Sequence, residues 1–351
     1  MRVIVNDIAA STGGALTILR DFYNFIKNNK QASEHEWIFL LSDIYIEETE
    51  NIKTIILKEN KKWKNKIIFD FITGKKYINK LEPDILISFQ NTYTYGLNCP
   101  QIIYMHQAIP FQEVKKFSFF KVSEFKLAIY QFIIGFIIKK AVRASDHVIV
   151  QTEWIKKSII KICNLDPDNI SIIKPNIQNF DLPTEETFSE RCFFYPADNL
   201  LYKNHKVIKA AVEILNNKKV HNFSVLLTTP EININSSNIV SSSKMDFNEV
   251  LKNYACSTLI FPSYIETLGL PLLEAKKMGT IILASDTPFA REALDGYNNS
   301  YYFGIDDAKM LSHLMEKIIN KDIVKKEQNE NLKTEYKSWS KIFDIIDRNI
   351  Q

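Results

Sequence analysis

One pattern recurs along nearly the whole chain: four to six apolar residues, then a longer amphipathic stretch. In the first half it predicts strands at Val3–Ile8, Trp37–Leu41, Thr54–Leu57, Ile85–Phe89, Ile102–Met105, His147–Val150 and Ile170–Ile173. Helical spacing fills Ala15–Asn28, Lys64–Leu81, Phe120–Ala144 and Glu153–Cys163. Strands that are apolar throughout need cover on both faces, and helices alternating with them supply it. The pattern therefore implies βαβ units, a mostly parallel sheet and an α/β fold.

The rhythm breaks once. Lys174 to Pro183 holds two prolines among polar residues and reads as a linker. Strands are then expected at Cys192–Tyr195, Phe223–Thr228, Thr258–Phe261 and Thr280–Ala284. Helices are expected at His205–Asn216, Phe247–Tyr254, Pro271–Met278 and Asp306–Asn320. A last helix spans Asn329 to Asn349, with Trp339, Ile342, Phe343 and Ile346 on one face. The expected organisation is two doubly wound domains, 1–176 and 177–330, followed by a terminal helix at 331–351. In such sheets ligands bind beyond the carboxyl ends of the strands, so the cleft between the domains is the expected site.

Glycine is scarce, 9 of 351 residues, which excludes collagen-like and flexible-linker classes. Net charge is +3, too little to argue for nucleic acid. Residues 1–150 nevertheless carry 20 basic against 15 acidic residues, in two lysine runs around 58–76 and 115–143. The four cysteines are scattered without metal-ligand spacing, which suits free thiols in a reducing compartment. Met1 leads straight into a strand with no signal-peptide layout. The longest uncharged apolar run, Leu127–Ile138, is twelve residues and too short to span a bilayer. A cytoplasmic protein, peripheral at most, is the expectation.

Three motifs carry chemistry. Ser11-Thr12-Gly13-Gly14 lies between the first strand and the first helix, where paired glycines let backbone N–H groups approach an anion or a sugar. A tight turn would also account for it. The segment Pro262-Ser263-Tyr264-Ile265-Glu266-Thr267-Leu268-Gly269-Leu270-Pro271-Leu272-Leu273-Glu274 runs from a strand through a loop into a helix. Proline suits a first helical position, and N–H groups of Thr267, Leu268 and Gly269 can meet a phosphate there. Glu266 and Glu274 are placed to accept hydrogen bonds from sugar or ribose hydroxyls. His106 follows a strand, where a doubly wound sheet presents ligand groups.

These residues resemble the family 4, or group 1, glycosyltransferases of the GT-B fold, retaining enzymes that use nucleotide-sugar donors. The resemblance rests on Tyr202-Lys203-Asn204-His205, the Pro262–Glu274 stretch, Ala284-Ser285-Asp286-Thr287-Pro288, Glu292 and Asp295-Gly296. Gly13-Gly14 and His106 add to it. It implies an acceptor-binding N-terminal domain, a nucleotide-sugar-binding C-terminal domain and a terminal helix that crosses back to the first. Glu266 would contact the donor sugar, Glu274 the ribose and Lys203 the diphosphate, with His106 bonding the reacting sugar. Gly13, Gly14, Asn204, Thr267, Leu268 and Gly269 would complete the donor site, and Ser241–Lys244 would lie near the base. The implied reaction moves a sugar to a hydroxyl of a lipid-linked oligosaccharide in bacterial surface polysaccharide (O-antigen or capsule) assembly. One departure stands out: where the family often has an arginine six positions before the lysine, this chain has Ala197 beside Asp198.

Asp166-Pro167-Asp168 spells an Asp-x-Asp, but its proline and its place between a helix and a strand mark a turn, so no metal and no cofactor is expected. The Phe117–Arg143 segment reads either as a domain helix or as a contact with an anionic membrane, through its lysines and Phe119, Phe120 and Phe125. A non-catalytic GT-B partner subunit or saccharide-binding protein is the alternative function, favoured by the absent arginine and opposed by Lys203, Glu266 and Glu274 together. A dinucleotide oxidoreductase lacks its Gly-x-Gly-x-x-Gly, and no nucleic-acid readout module is present.

Overall fold

The computed structural model describes residues 1–10, 13–175, 180, 187–229, 236–327 and 339–350. The expected linker at 176–179 and 181–183, Ser11, Thr12 and the start of the last helix before Trp339 lie outside the described residues. The chain forms two compact units: Met1–Asn176 with Tyr336–Gln351, and Ile177–Glu335.

In the first unit seven parallel strands form one sheet. They are β1 (Arg2–Asn6), β2 (Glu36–Leu41), β3 (Ile52–Ile56), β4 (Ile85–Ser88), β5 (Gln101–Met105), β6 (His147–Val150) and β7 (Ile170–Ile172). Their order is β3-β2-β1-β4-β5-β6-β7. The chain winds outward one way from β1 and then the other way from β4. The crevice at the carboxyl ends of β1 and β4 is thus the topological switch point. The helix Gly13–Asn28 buries Ile18, Leu19, Phe22, Tyr23 and Ile26 against one face of the sheet. The helix Ile342–Ile350 joins the same core, where Trp339 packs against Phe22, Phe89 and Tyr104 and donates its Nε1 hydrogen to Asp21 Oδ2 at 2.7 Å.

Two helical stretches of this unit depart from regular α geometry. Trp63–Ile68 continues into a π-helical turn at Phe69–Thr73 and then into Gly74–Asn79. Val122–Ala128 continues into a π-helical turn at Ile129–Ile134 and then into Gly135–Ala144. A Cβ at position 74 would lie 2.5 Å from the Phe69 carbonyl oxygen, so the widened turn needs glycine there. Periodicity had shown each stretch as one continuous helix.

The second unit repeats the architecture with six parallel strands. They are β8 (Cys192–Tyr195), β9 (Ser224–Leu227), β10 (Ile239–Ser241), β11 (Thr258–Phe261), β12 (Ile282–Ser285) and β13 (Ser300–Phe303). The order β10-β9-β8-β11-β12-β13 puts its switch point between β8 and β11. The edge strands β10 and β13 escape the sequence pattern. One is three residues long, and the other is a Ser-Tyr-Tyr-Phe run directly after Asn298 and Asn299. The helix Pro288–Ala293 was also missed; Thr287 caps it and Asp286 pairs both carboxylate oxygens with Arg291.

Candidate functional site

The second unit assembles its candidate residues where the chain leaves β8 and β11. Beyond β8, the Tyr195 hydroxyl donates to the Lys203 carbonyl at 3.0 Å and fixes the lysine's loop. Beyond β11, the Tyr264 N–H donates to the Tyr202 carbonyl at 3.1 Å and stitches the second loop to the first. The two loops bring Lys203 Nζ to 2.6 Å from Glu266 Oε1, and both side chains are less than a fifth exposed. Ser263 Oγ, fully buried, donates to the same Oε1 at 2.7 Å. Both bonds fall on Oε1, and among the described residues none is given to Oε2.

Eight residues further on, the chain has entered the helix Leu270–Lys277. Gly269 precedes it with φ +72°, a left-handed conformation that only glycine adopts cheaply, and Pro271 sits in the first turn. Among the described residues the N–H groups of Leu268 and Gly269 donate to no protein acceptor. They lie at a helix N-terminus, whose partial positive charge favours an anion. Glu274, one turn into this helix, accepts from the Tyr254 hydroxyl at 3.3 Å. Burial raises its carboxyl to about 7, with the tyrosine pulling it back. The glutamates therefore differ in kind: one is held by a cation and a hydroxyl, the other is a half-buried acid against a tyrosine.

Asn204 adopts φ +57° and donates its Nδ2 hydrogen to the Ile305 carbonyl at 2.7 Å, so it shapes the start of the helix His205–Asn217. Ala197, which stands where the family often has arginine, is buried at the end of β8, and its carbonyl accepts from Thr228 Oγ1 at 3.4 Å. Ser241–Lys244 follow the edge strand β10.

The first unit holds the remaining candidates at its own switch point. Gly13 has φ +64° and opens the helix after β1, and a Cβ on Gly13 or Gly14 would meet no atom within 4 Å. His106 follows β5. Its N–H donates to Asn91 Oδ1 at 2.9 Å and its Nε2 lies 3.3 Å from Asn91 Nδ2. The amide nitrogen can only donate, so the neutral ring accepts at Nε2 and carries its proton on Nδ1. Burial, aided by Lys66, lowers this histidine to about 4. It is a neutral hydrogen-bonding group, not a cation, at physiological pH.

Sequence reasoning missed the hold of Ser263 on Glu266 and of Asn91 on His106. Ser263 was visible beside Pro262 but carried no sign of its partner, and nothing local marks Asn91. Asp166 caps the short 3-10 turn Pro167–Asn169 by accepting from the Asp168 N–H at 3.0 Å, as a turn motif would.

Residues 230–339 match the family described as "Glycosyl transferases group 1". A curated relative, the O-antigen chain mannosyltransferase RfbU of Salmonella typhimurium, is 27% identical over 190 residues. That match spans 50% of this chain and 51% of the relative, so about half of each is aligned. Among solved structures, TarM superposes with a TM-score of 0.66 at 12% identity, covering 99% of this chain and 98% of that one. HepE of Anabaena, solved with UDP-glucose, gives a TM-score of 0.60 at 10% identity over 92% of this chain and 90% of its own. At such identities the two structures speak for the fold alone, and that fold is GT-B.

Proposed function

We propose that this chain, whose residues 230–339 match the group 1 glycosyl transferases, moves a sugar from a nucleotide-sugar donor to a hydroxyl of an oligosaccharide acceptor. The observation that carries the reading is the Lys203–Glu266–Ser263 cluster at the switch point of the second unit, beside a helix N-terminus. The second unit takes the donor and the first the acceptor. The acceptor is a lipid-linked saccharide of a bacterial surface polysaccharide, the process to which the O-antigen relative's name belongs.

In this reaction the bond between the anomeric carbon and the diphosphate oxygen breaks, and a bond to the acceptor oxygen forms. The acceptor's proton leaves with the departing phosphate, which balances the bond broken against the bond formed. Charge grows on the diphosphate, so the protein's work is electrostatic. Lys203 and the Leu268 and Gly269 amides meet that charge, and Glu266 orients the sugar through Oε2. In the resting chain Lys203 is neutralised by Glu266, and an incoming diphosphate exchanges for that carboxylate. Glu274 accepts from the ribose, and His106 bonds the reacting sugar as a neutral ring.

The surface around 117–126 supports a peripheral membrane contact. Phe120 and Val122 are 98% and 95% exposed, Phe119 and Phe125 are exposed beside them, and Lys116, Lys121 and Lys126 surround the group. Apolar side chains within a basic rim suit anionic lipid. No described helix is long and apolar enough to cross a membrane.

The test is nucleotide release from purified protein with UDP-, GDP- and dTDP-sugars. One donor should be consumed, and Lys203→Ala and Glu266→Ala should each lower turnover about 100-fold or more while folded. Near-wild-type turnover in either variant would sink the site. Ala197 favours a second reading, a non-catalytic partner subunit or saccharide-binding protein. For that protein, calorimetry with nucleoside diphosphates would show no binding.

A further inference from the structure

The first unit carries an open cavity of about 220 Å³ at its switch point, between the two helical stretches that carry π-helical turns. That is enough for one sugar ring. Its lining divides by chemistry. Ile134, Ile137, Ile138 and Ala141 form an aliphatic wall on one stretch. Phe71, Tyr93 and Tyr95 form an aromatic wall, with Phe71 stacked on Tyr95 at 4.8 Å and Tyr95 edge-on to Tyr93 at 5.0 Å. Lys66, Asp70, Gln90 and Thr92 supply the polar end.

Among the described residues, buried polar atoms at this end lack partners. Gln90 is only 4% exposed, and its Nε2 donates to Asn6 Oδ1, while its Oε1 has no partner among the described residues. Lys66 Nζ already donates to the Gln90 carbonyl at 3.1 Å. Asp70 is 3% exposed; burial lifts its carboxyl to about 6, against the pull of Lys66 and the Thr92 and Thr94 hydroxyls. A buried acceptor without a donor is destabilising, and a ligand hydroxyl would relieve it. The electron-rich faces of the aromatic wall attract the C–H face of a sugar ring. Phe71 is also 42% exposed, and the neighbouring Ile68, Ile72, Ile133 and Phe136 are exposed, so the cavity opens beside an apolar surface.

We propose that this cavity binds one sugar residue bearing an apolar aglycone, with its hydroxyls on Asp70 and Gln90, its ring on the aromatic wall and its aglycone along the isoleucines. Resting on the transferase reading, this makes the cavity the seat of the acceptor's lipid-proximal sugar. Charge on the polar end discriminates against a bare anion, because Asp70 faces the same space as Lys66.

The test titrates the full chain with octyl glucoside and octyl mannoside below their micelle-forming concentrations, followed by saturation-transfer NMR and calorimetry. Methyl glycosides and octyl phosphate serve as comparisons. An octyl glycoside should bind saturably, at least tenfold tighter than its methyl counterpart and tighter than octyl phosphate. Ile137→Trp, which fills the aliphatic side, and Phe71→Ala, which removes a rim ring without touching the core, should each weaken binding tenfold or more with an unchanged melting temperature. The proposal is overturned by no saturable octyl glycoside binding, by both variants binding like wild type, or by octyl phosphate binding tighter. UDP and GDP titrations separate the two readings. Octyl glycoside bound with no nucleotide bound and no transfer would fail the transferase reading and leave the cavity assignment standing. Transfer undisturbed by Ile137→Trp would do the reverse.

Discussion

Glu274 shows how a residue can be legible in its identity and hidden in its state. The spacing from Glu266 makes it a candidate ligand group, yet nothing local says that it packs against Tyr254 and has its carboxyl raised to about 7. The folded form binds that proton more tightly than the unfolded chain, whose glutamate titrates near its ordinary 4.5. This contribution to stability is therefore greatest in acid and declines as pH rises from about 4.5 to about 7. Thermal unfolding of Glu274→Gln beside wild type should show an advantage for the variant that grows through that window and is flat above it. A constant difference would mean that burial does not govern the carboxyl. Lys203 and Glu266 stood out as candidates for the same reason as Glu274, because each lies in a short motif. Asn91 and Ser263 were not, since their meaning lies in contacts that exist only after folding.

Element by element, the strands buried on both faces were the clearest, because a parallel sheet leaves continuous apolar runs. His147–Val150, Cys192–Tyr195 and Thr258–Phe261 appear at their expected bounds. Short edge strands and widened helical turns stayed hidden, since neither changes the apolar period. Gly269 makes a sharp test at this scale. A Cβ there would strain a left-handed backbone and lie 3.3 Å from Leu272 Cδ1. Gly269→Ala should cost about 1–2 kcal/mol, or a melting temperature about 3–6 °C lower, together with weaker nucleotide binding. The segment after Phe117 offers another. Phe120→Glu removes a fully exposed ring, so folding should be unaffected while sedimentation with anionic vesicles at low salt drops severalfold. Equal sedimentation would show that this face is simply wetted.

At the scale of the molecule, two doubly wound sheets were readable from alternation, and the return of the last helix to the first unit followed from the resemblance to GT-B proteins. The structure adds what holds that helix in place. Trp339, Ile342, Phe343, Ile345 and Ile346 are buried in one core with Phe22, Trp37, Phe89 and Tyr104. Trp339→Ala should destabilise the first unit by about 3–5 kcal/mol, seen as an earlier unfolding step in calorimetry. If the second unit's transition shifted equally, the two would be unfolding as one body.

That shared core also sets an order of events in the cell. A ribosome delivers residues 1–176 first, but the aromatic groove of Phe22, Phe89 and Tyr104 waits for side chains made more than 160 residues later. Until residues 339–350 emerge, the nascent first unit carries an open apolar seam, and the second unit completes its own sheet meanwhile. The part translated first is the part finished last, and a chain stalled before Trp339 would present that seam to chaperones and proteases.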